Sequence, residues 1–366
     1  MSSEQVSATS PRPRLLLSGL DSLYVSYFFD VSRAAIDFDE LAFHKERLQQ
    51  ARQEQLAELQ LGTEKFAVLP FGKHPYRYVL TNEAFEVRLT EHLSPSCHVR
   101  FSSQGLWQCG LNDLLGRFDS WRVSAKLKPF VPEVVSRADL SFDYDLPAID
   151  FTVDDFVGRA HDDTTYRQHR VVQTIKRGSA DVVVRVYDKV AEIEEESGKF
   201  WFYDLWGQDK NVWRIEFQMR RDRLRKGGIG SIAELQDLQS DLLRELAQSH
   251  TTLRRSNGDS NKSRWPLHPL WGALTDDIAA LPQTGLIQSL DPKAHLDTRI
   301  YHQLRALHGN LKGLAAVIGE HEDRPLPITL PELLNQLPEK LKPHHNAVVW
   351  HADVSRRQKA LRLGQW

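Results

Sequence analysis

Three stretches of strict alternation constrain this chain more than any other feature. In "RADLSFDYD" (137–145), Arg137, Asp139, Ser141 and Asp143 take every second position, with Ala138, Leu140 and Phe142 between them. In "DVVVRVYDK" (181–189), Val182, Val184 and Val186 share one parity, and Val183, Arg185, Tyr187 and Lys189 the other. In "WRIEFQM" (213–219), Trp213, Ile215, Phe217 and Met219 alternate with Arg214, Glu216 and Gln218. A period of two belongs to the β-strand, whose successive side chains point to opposite faces. Laid side by side, such strands form a sheet with one apolar face for helices to cover. The other face gathers carboxylates, guanidinium groups, a lysine and a tyrosine.

The surrounding sequence supplies both partners and cover. "LLLSGLDSLYVSYFFD" reads as a further strand, and "YRYVL", "AFEVRL" and "CHVRF" as short antiparallel strands between turn formers. The polar stretch 39–60, with Leu41, Leu48, Leu56 and Leu59, predicts an amphipathic surface helix. "LNDLLGRFDSW" predicts a short helix, and the spacing of Ile232, Leu235, Leu238, Leu242 and Leu246 a longer one. Further helices are expected in "DTRIYHQLRALHGNLKGLAAVIG" and "PLPITLPELLNQLPEKL". The expected fold is α+β: a central antiparallel sheet with helices on one face, then a mainly helical C-terminal region. The expected boundaries are a disordered arm over 1–14, a main domain over 15–275 and a helical region over 276–366.

With 366 residues, 41% of them apolar, the chain can bury a substantial core. A formal charge of −2 excludes the strongly basic whole chain of the simplest nucleic-acid binders, so charge has to be read locally. Cys97 and Cys109 are too few for a disulfide framework, and the apolar run "LLLSGL" is too short for a signal-peptide core or a membrane span. These features predict a soluble, cytoplasmic protein with no membrane association.

A solvated sheet face laced with cross-strand salt bridges would display the same residues, so the chemistry of the set has to separate the readings. Asp139, Glu216 and Asp143 are oxygen ligands suited to Mg²⁺ or Mn²⁺, which need only one or two carboxylates when a substrate phosphate completes the shell. Arg185, Lys189 and Arg214 suit phosphate oxygens. Tyr187 lies among them as a nucleophile candidate. A phenol with a reference pKa of about 10 needs roughly 4 kcal/mol of help to ionise at pH 7.

The motifs "RADLSFDYD", "VVVRVYDKVAEI" and "WRIEFQMRRD", in that order, resemble the core of the replication initiation factor (Rep_trans) family of rolling-circle plasmid and phage initiators and related nicking relaxases. "LSGLDSLYVSYF" and "SSQGLW" resemble weaker landmarks, and the likeness covers roughly residues 15 to 275. The resemblance implies a metal-dependent DNA nicking endonuclease and strand transferase. A tyrosine attacks a phosphodiester of single-stranded or hairpin origin DNA, keeps the 5′-phosphate as a phosphotyrosine and frees a 3′-hydroxyl primer. It implies Tyr187 as nucleophile, Lys189 near the phosphate, Asp139 and Glu216 as metal ligands, and Asp143 as a weaker one. It also implies a host helicase and polymerase as partners, since the chain has no G-x-x-x-x-G-K-[ST] loop of its own. The chain departs from better-known nickases in lacking a His-hydrophobic-His triplet, and "KRGSAD" only partly matches the family's approach to the tyrosine strand. Tyr166 in "DTTYRQHR" therefore stays open as an alternative nucleophile.

Outside the motifs, "RRDRLRK" (220–226) sets five positive charges against one negative. Arg220, Arg221, Arg223 and Arg225, with Arg185 and Arg214, are its candidate phosphate contacts; a solvated helix start is the alternative. "FWFYDLW" offers rings for base stacking or for core packing. The C-terminal helices are compatible with an oligomer. A catalytically inactive DNA-binding regulator on the same fold is the rival function.

Overall fold

A computed structural model describes residues 12–50, 57–160, 162–168, 171–282 and 292–362, in two compact units that part between Gln288 and Ser289. Most of the expected N-terminal arm lies outside the described residues.

The strands of the first unit are β1 (Arg14–Tyr27), β2 (Phe29–Asp30), β3 (Ala57–Leu61), β4 (Glu64–Val68), β5 (Tyr78–Thr81), β6 (Phe85–Leu89), β7 (Cys97–Phe101), β8 (Lys128–Pro129), β9 (Val134–Asp145), β10 (Phe156–Gly158), β11 (Asp163–Gln168), β12 (Val171–Arg177), β13 (Val182–Asp188), β14 (Val212–Arg220) and β15 (Thr251–Leu253). Eleven of them form one sheet in the order β11-β12-β13-β14-β9-β1-β7-β6-β5-β4-β3, and β10-β15 and β2-β8 form two small ladders. The pairings through the middle of the sheet are antiparallel. The first unit's helices are α1 (Phe38–Gln50), α2 (Ser103–Gln108), α3 (Leu111–Ser124), α4 (Lys189–Glu192), α5 (Trp201–Trp206), α6 (Arg221–Lys226), α7 (Ile232–Glu245) and α8 (Pro269–Ala279). The fold is α+β, as the alternation predicts.

The three patterned stretches are neighbours in the sheet, and the two parities separate as expected. Leu140 and Phe142 of β9, Ile215 and Phe217 of β14, and Val184 and Val186 of β13 are buried in one core with Leu235 and Leu242 of α7 and Trp271 and Leu274 of α8. Farther along the same face, Phe118 and Trp121 of α3 pack edge-on or tilted against Phe85, and Phe118 also against Phe101. Each such side chain contributes roughly 1.5–3 kcal/mol on full burial, which is what holds the helices to the sheet. Helix α7 starts where Ser231 caps the Glu234 N–H and Glu234 reaches back to the Ser231 N–H.

Two local features differ from the sequence expectation. Of the stretch 39–60, predicted as one helix, the part up to Gln50 is helical but Ala57–Leu61 is a strand. Ala57, Leu59 and Leu61 alternate into the core, and β3 pairs with β4 across a turn at Gly62, whose φ of 56° favours glycine. A polar run with a leucine every few residues satisfies either period until a pairing strand decides. The short helices α2, α4 and α5 also cover one end of the charged face, in addition to the helices on the apolar face.

The second unit consists of α9 (Pro292–His321), α10 (Leu330–Leu341) and α11 (Ala347–Arg362). Ile318, Ile328 and Leu333 form its buried cluster, and Glu332 caps the start of α10 by accepting from Thr329. This matches the expected helical C-terminal region. No helix among the described residues is long and apolar enough to cross a membrane.

Candidate active site on the charged sheet face

Register lines up the polar parities in cross-strand rows. Tyr187 of β13 lies opposite Arg214 of β14, which lies opposite Asp143 of β9; Arg185 lies opposite Glu216, and Glu216 opposite Ser141; Gln218 lies opposite Asp139. All of the sequence-predicted residues of these three strands therefore share one face.

At one end of the face the charges are locked together. Arg214 is 0% exposed. Its Nε and Nη2 donate to Asp143 Oδ1 and Oδ2 at 2.6 and 2.8 Å, and its Nη1 to Asp21 Oδ1 at 2.9 Å. Trp206 of α5 donates its indole N–H to Asp143 Oδ2 at 2.8 Å, and the Phe202 ring lies 4.6 Å from the guanidinium. Asp143 accepts three hydrogen bonds and, like Arg214, has no route to solvent. Asp143, expected as a metal ligand, and Arg214, expected as a phosphate contact, are paired with each other here in a buried ion pair.

Asp21 was not legible from alternation. A register shift between Leu20 and Ser22 turns it into the charged cluster, where it also accepts from Trp107 at 2.8 Å and Ser103 at 3.0 Å. Burial opposes its ionisation, but the charges of Arg214, Lys199 and Lys189 and the Trp107 hydrogen bond hold it well below the usual carboxylate range. The available signal was a glycine and an aspartate two residues apart in β1: a Cβ at Gly19 would come within 3.0 Å of the Trp107 ring.

In the middle of the face, Glu216 is shared. Arg185 Nη1 donates to its Oε1 at 2.7 Å and the Tyr187 hydroxyl to its Oε2 at 3.1 Å. Tyr187 is 8% exposed. Burial first, and then the Glu216 charge, push its phenol well above the ordinary value, against the pull of Arg214. Lys189 follows where Asp188 ends β13 and caps α4, accepting from the Val190 and Ala191 N–H groups. This strand-to-helix switch buries the ammonium against Glu192, 5.7 Å from the Tyr187 ring centroid. Burial, with Arg214 adding, lowers Lys189 below its ordinary value.

Asp139 pairs with Arg137, Nε to Oδ1 at 2.8 Å. Burial raises it to about 6 despite that partner, with the charges of Glu216 and Asp21 adding. Between Asp139 and Asp143 the Ser141 hydroxyl is buried without a hydrogen-bond partner. Among the described residues no three His, Cys, Asp or Glu side chains are grouped so as to hold a metal ion.

Tyr166 sits on the edge strand β11, opposite Thr174, which is opposite Tyr187. It thus belongs to the same face and is 58% exposed. The basic run divides. Arg220 is exposed, opposite Arg137 on the charged face, and Arg225 is exposed beside Asp222. Arg221 donates to the Ile229 carbonyl at 3.0 Å, and Arg223 pairs with Glu245 at 2.6 Å. In "FWFYDLW", Phe202 and Trp206 are core residues.

No family model matches the chain, and no curated protein matches it in sequence. Among solved structures, a rolling circle replication initiator protein from Geobacillus stearothermophilus is similar at 20% identity over 71% of this chain and 96% of that one, with a TM-score of 0.42. A likeness this loose leaves the site to be read from its own geometry.

Proposed function

We propose that this chain initiates rolling-circle replication by nicking single-stranded origin DNA, through attack of a tyrosine hydroxyl on a phosphodiester. The observation that carries the reading is the hydrogen bond from the Tyr187 hydroxyl to Glu216 Oε2, at 3.1 Å, on a face with Arg185 and Lys189. A phenol this strongly held in its neutral form needs a base to take its proton as it attacks, and Glu216, oriented by Arg185, is in place to do so. The tyrosine oxygen forms the new P–O bond, the 3′-oxygen leaves with a proton, and a 5′-phosphotyrosine and a 3′-hydroxyl result.

A second reading is favoured by the exposure of Tyr166 on the same face. Tyr187 has the base; Tyr166 has the access. Both readings keep the reaction and differ only in the attacking oxygen.

Asp139 is the carboxylate that would hold Mg²⁺ or Mn²⁺, since Glu216 is engaged by Arg185 and the Tyr187 hydroxyl. The support is the unpartnered, buried Ser141 hydroxyl and the reluctance of Asp139 to ionise, both of which a cation would relieve. Such an ion would stabilise charge developing on the scissile phosphate. Asp143 has no part in it.

The test is incubation of the full chain with single-stranded DNA from its own genetic neighbourhood and Mg²⁺ or Mn²⁺, followed by denaturing electrophoresis and peptide mapping. A covalent adduct on Tyr187 or Tyr166 is expected, lost in the corresponding phenylalanine variant. Tight DNA binding with no adduct would sink the nicking reading and leave a binding regulator.

A further inference from the structure

One cross-strand row continues the charged face away from Tyr187. Arg220 of β14 is opposite Arg137 of β9, Arg137 opposite Tyr24 of β1, and Tyr24 opposite Arg100 of β7. Three guanidinium groups and a tyrosine thus lie in one line across four strands, about 14 Å at the usual strand spacing. Like charges directly opposite, as Arg137 and Arg220 are, destabilise a sheet.

Arg100 has the least compensation. Its next neighbour in the row is Glu86 of β6, but that carboxylate is taken by Lys73 at 2.8 Å and Arg88 at 2.7 Å. Arg100 forms no salt bridge among the described residues, and its Nε is buried without a hydrogen-bond partner. Its guanidinium lies 5.8 Å from the centroid of the Tyr24 ring, and that of Arg137 lies 5.0 Å from the same ring. The His98 ring stands 5.9 Å from Tyr24. Arg137 is balanced by Asp139, which leaves Arg100 as a cation without a carboxylate among the described residues; such a cation beside half-buried rings suits a polyanion that carries flat groups.

We propose that this row is a binding track for single-stranded DNA, in which Arg100 takes a backbone phosphate and Tyr24 offers a ring to a base. The track rests on the reading of this sheet face as the DNA site, and it lengthens that site beyond the tyrosines. It places the strand across β9, β1 and β7 and makes Arg100 a binding residue outside the reacting cluster.

The test uses the full chain and a fluorescein-labelled oligothymidylate of about 20 nucleotides, longer than the minimal site of a typical single-strand binding fold, with anisotropy titrations over a range of salt. Arg100→Gln is expected to flatten the slope of log affinity against log salt by about 0.7, the loss of one single-strand phosphate contact. Arg100→Lys should restore most of that slope. Tyr24→Leu should weaken binding about five-fold or more at every salt concentration while leaving the slope unchanged. Thermal unfolding of each variant shows whether a loss comes from binding or from folding. If Arg100→Gln, folded as the parent, keeps both affinity and slope, the track is wrong, whatever the adduct assay shows. If the slope falls as expected but the parent forms no adduct, the track stands and the nicking reading fails.

Discussion

Arg214 and Asp143 face each other across β14 and β9 with two parallel hydrogen bonds of 2.6 and 2.8 Å, and both side chains are completely buried. In that position the ion pair is held by further partners, with Asp21 accepting from Arg214 and Trp206 donating to Asp143. Asp143→Asn leaves the guanidinium with one charged partner fewer and should destabilise the first unit by about 3 kcal/mol. Arg214→Leu, which strands two carboxylates, should cost more, on the order of 3–5 kcal/mol. Urea unfolding followed by tryptophan fluorescence measures both. A loss below about 1 kcal/mol for either would show that the pair does not anchor the face.

Tyr187→Phe removes one neutral donor from a carboxylate that keeps Arg185. The expected stability loss is about 1 kcal/mol, small enough that the variant remains a fair test of chemistry. Tyr166→Phe, at an exposed edge, should change stability by less than about 0.5 kcal/mol. A much larger loss for Tyr187→Phe would make its hydroxyl a structural group first, and would shift the nucleophile to Tyr166.

The sheet face was legible because register in an antiparallel sheet preserves parity: once the three motifs were strands, Tyr187, Arg214 and Asp143 had to share a side. Alternation could not tell which charges are spent on one another. Arg214 and Arg185 read alike in sequence, yet one is enclosed by α5 and the other lies half-buried toward the open end, a difference set by a helix from elsewhere in the chain. Asp21 was hidden because a bulge breaks the period of two at the point where it matters. The row through Tyr24 and Arg100 was invisible for another reason: it joins residues from four strands, and nothing in any one strand marks it.

The basic run makes a sharper prediction than its composition does. Arg220 faces outward on the charged face, whereas Arg221 holds the Ile229 carbonyl and Arg223 holds Glu245. Arg220→Gln should flatten the salt dependence of single-strand binding by about 0.7 with little change in stability. Arg221→Gln should do the reverse, losing about 1–2 kcal/mol of stability with an unchanged slope. Equal slope losses from both would return the whole segment to a general phosphate contact.

The last prediction concerns pH and Asp139. Its carboxyl, ordinarily near 3.8, is raised to about 6 by burial with Glu216 and Asp21 nearby, so the fold favours the protonated form. The contribution of that group to stability is therefore fully present below pH 3.8 and is lost as pH rises through 6, by at most roughly 2–3 kcal/mol. Asp139→Asn mimics the protonated form at every pH. Relative to the parent, the variant should gain stability between pH 4 and pH 7, by about 1–2 kcal/mol, in metal-free urea unfolding. A difference between the two proteins that stays constant over this range would mean that Arg137 alone keeps Asp139 ionised. The charge that a divalent cation was proposed to relieve would then already be balanced.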